Sequence, residues 1–174
     1  MSRAARTAEP YDPQTLERAA LDYAARYATT RAKLASYLRR KLRERGWAGE
    51  GAPPVDALVA RFADRGYVDD RAFASARADA LLRRGYGARR IGTALRAAGI
   101  DAETSGELRA RIDAAGEAAA RRFAERRRIG PYAPGPADPA QKRRWVAMMA
   151  RAGHPLELVL KLLDAGIDEL ENET

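Results

Sequence analysis

Residues 66–74, GYVDDRAFA, set two carboxylates, Asp69 and Asp70, side by side. Adjacent acids are raw material for metal-assisted or general acid/base chemistry, but either use needs partners. A metal site requires further carboxylates or histidines at ligand spacing, and no HxxxH, ExxH or DxD with a downstream Glu occurs. The one histidine, His154, stands before Pro155 where a helix should start and reads as a cap or a surface residue. No Ser-His-Asp or lysine-based constellation surrounds it. The GYG at Gly85 to Gly87 lacks the GxxxxGKS or GxxxxGKT pattern of a phosphate loop and reads as a corner between helices. The sequence therefore points to no enzyme, no metal and no cofactor.

The same nine residues make sense as a helix start. With Asp69 as N-cap, Val68 and Phe73 have the spacing of a hydrophobic staple, and Asp70 falls in the first turn. There its charge meets the positive end of the helix dipole, worth about 0.3 to 1 kcal/mol. Gly66 and Tyr67 supply the sharp exit from the preceding helix.

Those helices belong to a chain of 174 residues, 46% apolar, 32% charged and only 7% aromatic, with few β-branched residues. Such a composition favours a helical array over a sandwich. Without cysteine there is no disulfide framework and no zinc-thiolate site, which fits a reducing cytoplasm. No stretch approaches the roughly 20 apolar residues of a membrane span, so the expectation is a soluble, cytoplasmic protein without membrane contact. The formal charge of +8 is uneven. Residues 154–174 hold six carboxylates against Lys161 alone, a net of −5, so the preceding 153 residues carry +13. A body of that charge suits nucleic acid or an acidic protein.

Periodicity organises the chain. Gly46, Gly99 and Gly153 are spaced by 53 and 54 residues. Four residues before each stands Leu42, Leu95 or Met149, and eight before stands Leu38, Ile91 or Trp145, the stripe of one helix closed by glycine. A second amphipathic element follows each glycine: Val55 to Gly66, the less regular DAETSGELRARI capped by Asp101 with Leu108 and Ile112 on one face, and Pro155 to Gly166. Leading helices are expected at Pro13 to Tyr27, Asp70 to Arg84 and about Glu117 to Arg128. Asp12-Pro13 and Asp138-Pro139 repeat one start signal, an N-cap acid followed by proline. The reading is all-α: an elongated, curved array of tandem three-helix repeats, with units at 12–68, 69–113 and 114–168 and about nine helices. Residues 129–139 read as a stiff, extended proline spacer, and 1–11 and 169–174 as disordered tails.

Two basic stretches stand out. One position before the core stripe Leu34, Leu38 and Leu42 runs a second stripe of Lys33, Tyr37, Lys41 and Arg45. It could follow phosphates with Tyr37 stacked on a base, dock on acidic protein, or be a solvated helix face. The other stretch, Arg83, Arg84, Arg89, Arg90 and Arg96, flanks the Gly85 corner. Arg83 and Arg84 also complement the dipole at their helix end. ERRR at 125–128 and KRR at 142–144 bracket the spacer, with Arg121 and Glu125 at pairing distance along a helix.

The segment FADRGYVDDRAFASARADALLRRGYGARRIGTALRAAGI, Phe62 to Ile100, resembles the signature of the RecX family of bacterial recombination regulators, and YLRRKLRERG, Tyr37 to Gly46, resembles that family's first-repeat motif. The likeness spans about Leu16 to Ala165, and the third unit departs from it most. The resemblance implies a monomeric, all-helical protein that lies in the groove of the RecA filament on DNA and lowers its ATPase, strand-exchange and SOS co-protease activities. It also implies weak contact with single- and double-stranded DNA and no active site. Lys41, Arg45, Tyr67, Asp70, Arg89 and Arg90 match its motifs as surface or turn positions. Candidate RecA or DNA contacts are thus Lys33, Tyr37, Lys41, Arg45, Arg83, Arg84, Arg89, Arg90 and Arg96, with Gly46, Gly66, Tyr67, Asp69, Asp70, Gly99 and Gly153 as turns and caps. The competing function is a non-specific basic DNA-binding protein.

Overall fold

A computed structural model describes residues 9–171, with the backbone alone described over 165–171. Among the described residues the fold is all-α, and the only β-type pairing is an isolated bridge between Tyr11 and Trp47. None of the described helices is long and apolar enough to cross a membrane. The chain forms two compact units, one of residues up to Phe73 with Ala98–Ile100, the other of Ala74–Ala97 with the residues from Asp101 on.

The first unit holds α1 (Pro13–Arg26), α2 (Arg31–Arg45) and α3 (Val55–Asp64), together with the start of α4 (Asp70–Arg83). Asp12 and Thr15 close α1 as a capping box behind Pro13, satisfying N–H groups that have no partner inside the helix. Thr30 caps α2. Leu16, Ala20, Leu34, Leu38, Leu58 and Phe62 then meet in one core, on the stripes that helical spacing gives them. The N-terminal tail reading does not reach Tyr11, which is 5% exposed in that core. Its N–H donates to the Gly46 carbonyl at 3.0 Å, and the Tyr11 carbonyl accepts the Ala48 N–H at 2.8 Å. Burial of a tyrosine ring outweighs the entropy of fixing the few residues before α1. Residues 1–8 of that tail reading lie outside the described residues.

The second unit contains the rest of α4, then α5 (Ala88–Ala97), α6 (Ala102–Glu107), α7 (Arg109–Ala114), α8 (Gly116–Arg127), α9 (Pro139–Arg151) and α10 (Leu156–Glu171). Asp101 caps α6 through the Thr104 N–H, 2.7 Å away. The element expected as one helix over DAETSGELRARI breaks at Leu108 into α6 and α7, because Thr104, Ser105 and Gly106 are poor helix formers and add little apolar surface. The extended spacer is overturned as well. Ile129 is fully buried, residues Gly130–Tyr132 make a 3-10 turn, and Gly130 lies so close to α10 that an added Cβ would sit 2.9 Å from Leu163 Cδ2. Pro131 stands inside that turn, where its fixed φ suits the geometry, so the start of the segment folds back instead of stretching out. Helix α10 runs on to Glu171, so 169–171 are helical, and 172–174 lie outside the described residues.

The periodic glycines hold the closest backbone contacts. Gly99 (φ +75) turns the chain so that the Ala98 carbonyl accepts the buried Thr30 hydroxyl at 2.6 Å. At Gly153 (φ +95), the Ala152 and Gly153 carbonyls accept the N–H groups of Gly87 and Arg89 at 2.9 and 3.2 Å. In both places a carbonyl orphaned at the end of one helix meets a donor at the start of another. Side chains would obstruct this: a Cβ on Gly99 would lie 2.2 Å from the Ala32 Cβ, and one on Gly153 2.4 Å from the Arg90 nitrogen. Gly46 (φ +85) has only the Pro10 Cβ nearby, at 3.8 Å. Gly46→Ala is therefore expected to cost strain alone, about 1 to 3 kcal/mol. Gly99→Ala must also move α2 and should unfold at a clearly lower denaturant midpoint than Gly46→Ala, as read by circular dichroism.

Candidate functional site

The paired aspartates serve two different helices. Asp69 Oδ1 accepts the Ala72 N–H at 2.9 Å and so caps its own helix, α4, while Val68 is buried beside it. Asp70 reaches away from α4: its Oδ1 accepts the Arg31 N–H at 2.9 Å, at the first turn of α2. Each carboxylate thus faces the positive end of a helix. No group of three or more acids and histidines that could hold a metal lies among the described residues. Gly66 (φ +74) makes the turn before them, with Tyr67 half exposed and its ring 5.3 Å from that of Phe62.

The α2 stripe is largely occupied by the protein itself. Lys33 Nζ lies 4.6 Å from the Phe73 ring centroid. Tyr37 is stacked on Tyr23 at 4.1 Å and 15°, so its ring is part of the core edge and not a free platform for a base. The sequence had no means of showing that α1 would supply this partner. Lys41 pairs with Glu44 at 2.9 Å. Arg45 Nε donates to the Glu9 carbonyl at 2.7 Å, and its guanidinium lies 4.1 Å from the Tyr11 ring centroid. Neighbouring Arg39 and Arg40 pair with Asp56 and Glu44, each at 2.6 Å. Exposed pairs of this kind add little stability, but they cancel much of the charge a sequence count assigns to this face.

The second stretch is different. Arg83, Arg84, Arg89, Arg90 and Arg96 are exposed, and among the described residues none of them makes an ion pair. Arg96 only donates to the Thr93 hydroxyl at 3.2 Å. Arg84 and Arg90 converge on Tyr86, with guanidinium carbons 5.3 and 5.6 Å from its ring centroid. Helix α8 adds two residues that sequence reasoning left out of the site: Arg126 donates to the Arg84 carbonyl, and Arg127 lies 5.8 Å from the Phe123 ring centroid. The ERRR run was a signal for them, but only folding brings α8 to the corner. Arg121 pairs with Glu117 at 3.0 Å, and not with Glu125 as expected; acid before base at four residues is the better orientation along a helix.

What holds the corner is His154. It is 1% exposed, neither cap nor surface residue, and its Nε2 lies 3.0 Å from the Gly85 carbonyl. Nδ1 is buried without a partner, and the imidazole packs 5.8 Å from the Phe123 ring. The adjacent Gly87 is closed against Gly153, since a Cβ there would lie 2.3 Å from the Gly153 carbonyl oxygen. The arginines thus stand on a backbone corner fixed from two sides.

A protein-family match covers residues 69–107, with the description "RecX, second three-helix domain". The chain is 34% identical over 161 residues to Regulatory protein RecX of Myxococcus xanthus (strain DK1622), covering 88% of this chain and 86% of that one. This chain belongs to the RecX family. Regulatory protein RecX of Thermobifida fusca (strain YX) is also 34% identical, over 123 residues, 68% of this chain and 63% of the relative. The crystal structure of RecX from Lactobacillus salivarius shares the fold, with a TM-score of 0.65 at 16% identity over 91% of this chain and 96% of that one. A second crystal structure of regulatory protein RecX has a TM-score of 0.68 at 16% identity, over 88% and 71%. Within this RecX-family chain the matched segment includes Asp69, Asp70, Arg83, Arg84, Arg89, Arg90, Arg96 and Gly99.

Burial holds the His154 pKa below its ordinary value of 6.5, opposed in part by the bond to Gly85. The unfolded chain therefore takes up the proton first, so this contribution to stability is complete above about pH 6.5 and declines as pH falls below it. As the sole histidine, it is the side chain whose ordinary pKa lies between about pH 5 and 6.5. The melting temperature of this RecX-family chain should fall over that window, and His154→Gln should flatten the dependence, as followed by thermal denaturation at a series of pH values.

Proposed function

We propose that this chain is a negative modulator of RecA, binding the RecA–DNA filament and inhibiting its ATPase, recombinase and co-protease activities in recombinational repair and the SOS response. The observation that carries this reading is its 34% identity to a curated Regulatory protein RecX along nearly the whole of both chains. The exposed arginines about Tyr86, without carboxylate partners among the described residues, support it by supplying a contact suited to an anionic filament. The proposed working unit is a cytoplasmic monomer of tandem three-helix repeats, with units at 12–68, 69–113 and 114–168. Its caps are structural, and its function is contact and restraint without chemistry. The relatives' name, regulatory protein, fits that role.

The second reading, a non-specific DNA-binding protein, draws on the same arginine corner and the +13 body. The two separate in one assay. RecA-catalysed, DNA-dependent ATP hydrolysis titrated with the protein should be inhibited well below one copy per RecA protomer. The variant carrying Arg89→Glu and Arg90→Glu should need about tenfold more protein, corresponding to about 1.4 kcal/mol. No inhibition at excess protein, with DNA binding intact, would leave the second reading.

A further inference from the structure

Helix α10 is apolar on more than the face it buries. Val159, Leu162 and Leu163 enter the core with Trp145 and Met149 of α9, yet Leu156 and Leu160, one turn apart, stand 56% and 45% exposed. A helix that is apolar beyond one stripe is normally covered on its second face as well. Beside Leu160 a groove of about 320 Å³ lies between α9 and α10, floored by Val146, Ala147, Leu160 and Leu163 and rimmed by Lys142 and Arg143. We propose that this groove docks an acidic amphipathic helix of a partner protein, with aliphatic side chains in the groove and carboxylates at Lys142 and Arg143. The inference goes beyond the proposed function and does not rest on it.

Charge complementarity selects the partner. Helix α9 carries Lys142, Arg143, Arg144 and Arg151 and no carboxylate. Among the described residues Lys142, Arg143 and Arg144 make no ion pair, and Asp164 is the single acid that lines the groove. Their charge is therefore open to an acidic chain, while the aliphatic floor supplies the desolvated centre that a protein interface needs. Ala147 is exposed at that wall, and its small side chain lets another backbone come close. The described residues offer no sheet edge that a segment could extend, so the fitting mode is a helix laid in the groove, with anchors at i, i+3 or i+4 and i+7.

Other occupants fit less well. A second copy pairing about a two-fold axis would set the same cations against each other. A membrane surface is met by a long apolar helix face with aromatic side chains, whereas here two leucines stand beside a concavity. A nucleic acid strand stacks its bases on aromatic rings, and the groove lining holds none.

The test is fluorescence anisotropy of labelled model helices added to the full chain. One has leucine at i, i+4 and i+7 flanked by glutamate, a second has the same leucines flanked by lysine, and a third keeps the glutamates with serine for leucine. The first should bind at least about tenfold more tightly than either of the others. Leu160→Asp should weaken it about tenfold, and Lys142→Glu/Arg143→Glu should reverse the preference towards the lysine-flanked helix. Arg18→Glu/Arg26→Glu, which removes as much positive charge from α1, should change neither. Should Leu160→Asp fail to fold, as read by circular dichroism, Ala147→Asp on the opposite wall carries the same expectation. Equal binding of the serine helix, or a preference that survives the charge reversal on α9, would overturn the proposal. Self-association that Leu160→Asp abolishes would assign the groove to a second copy, and binding to phosphatidylglycerol vesicles lost in the same variant would assign it to a membrane; either outcome overturns the site as well. RecA is absent from these assays, so their failure leaves the proposed function standing, and failure of RecA inhibition leaves the groove standing.

Discussion

The last carbonyls of a helix have no partner within it, and the way this chain satisfies them governs much of its tertiary structure. After Gly99 the donor is the Thr30 hydroxyl; after Gly153 it is the backbone of Gly87 and Arg89; at Gly46 it is the N–H of Tyr11. Each contact brings two backbones, or a backbone and a hydroxyl, to hydrogen-bond distance. Only glycine permits this where the φ is positive and Ala32 or Arg90 presses from the other side. The repeat of glycines is therefore also a repeat of docking contacts, and the first copy uses residues 9–11 where the others use a helix start.

Charge follows the same economy of partners. Asp69 and Asp70, the most enzyme-like pair in the sequence, are divided between the starts of α4 and α2, where N–H groups would otherwise be unsatisfied. On α2 the cations are cancelled by Glu44 and Asp56 or laid on Phe73 and Tyr11. Among the nine candidate contacts Lys41 alone has a carboxylate partner among the described residues, while Lys33 and Arg45, like Arg84 and Arg90 at the Gly85 corner, lie on aromatic rings. A face whose cations are already paired gains less from a polyanion than one whose cations are not, because the internal partners must first be displaced.

Structure and proposed role meet at His154. A neutral imidazole, buried with one nitrogen on the Gly85 carbonyl and the other without a partner, is the price of closing the Gly85–Gly87 corner on the turn after α9. That closure positions Tyr86 and, through it, Arg84 and Arg90.

By itself the sequence determined the local structure: the N-caps at Asp12, Asp69, Asp101 and Asp138, the stripes of Leu34 and Leu38, Ile91 and Leu95, Trp145 and Met149, and the glycine period. Capping and helical periodicity depend on residues three or four apart, so they can be read along the chain. The RecX likeness was legible for the same reason, since its motifs are continuous runs. Tertiary structure decided what depends on residues far apart: Tyr37 stacked on Tyr23, Asp70 spent on α2, Tyr11 in the core, Ile129 folding the proline segment inward, and Arg126 joining the corner across 42 residues. Which side chain remains free to meet a partner depends on which neighbours have already claimed the others, and packing alone settles that.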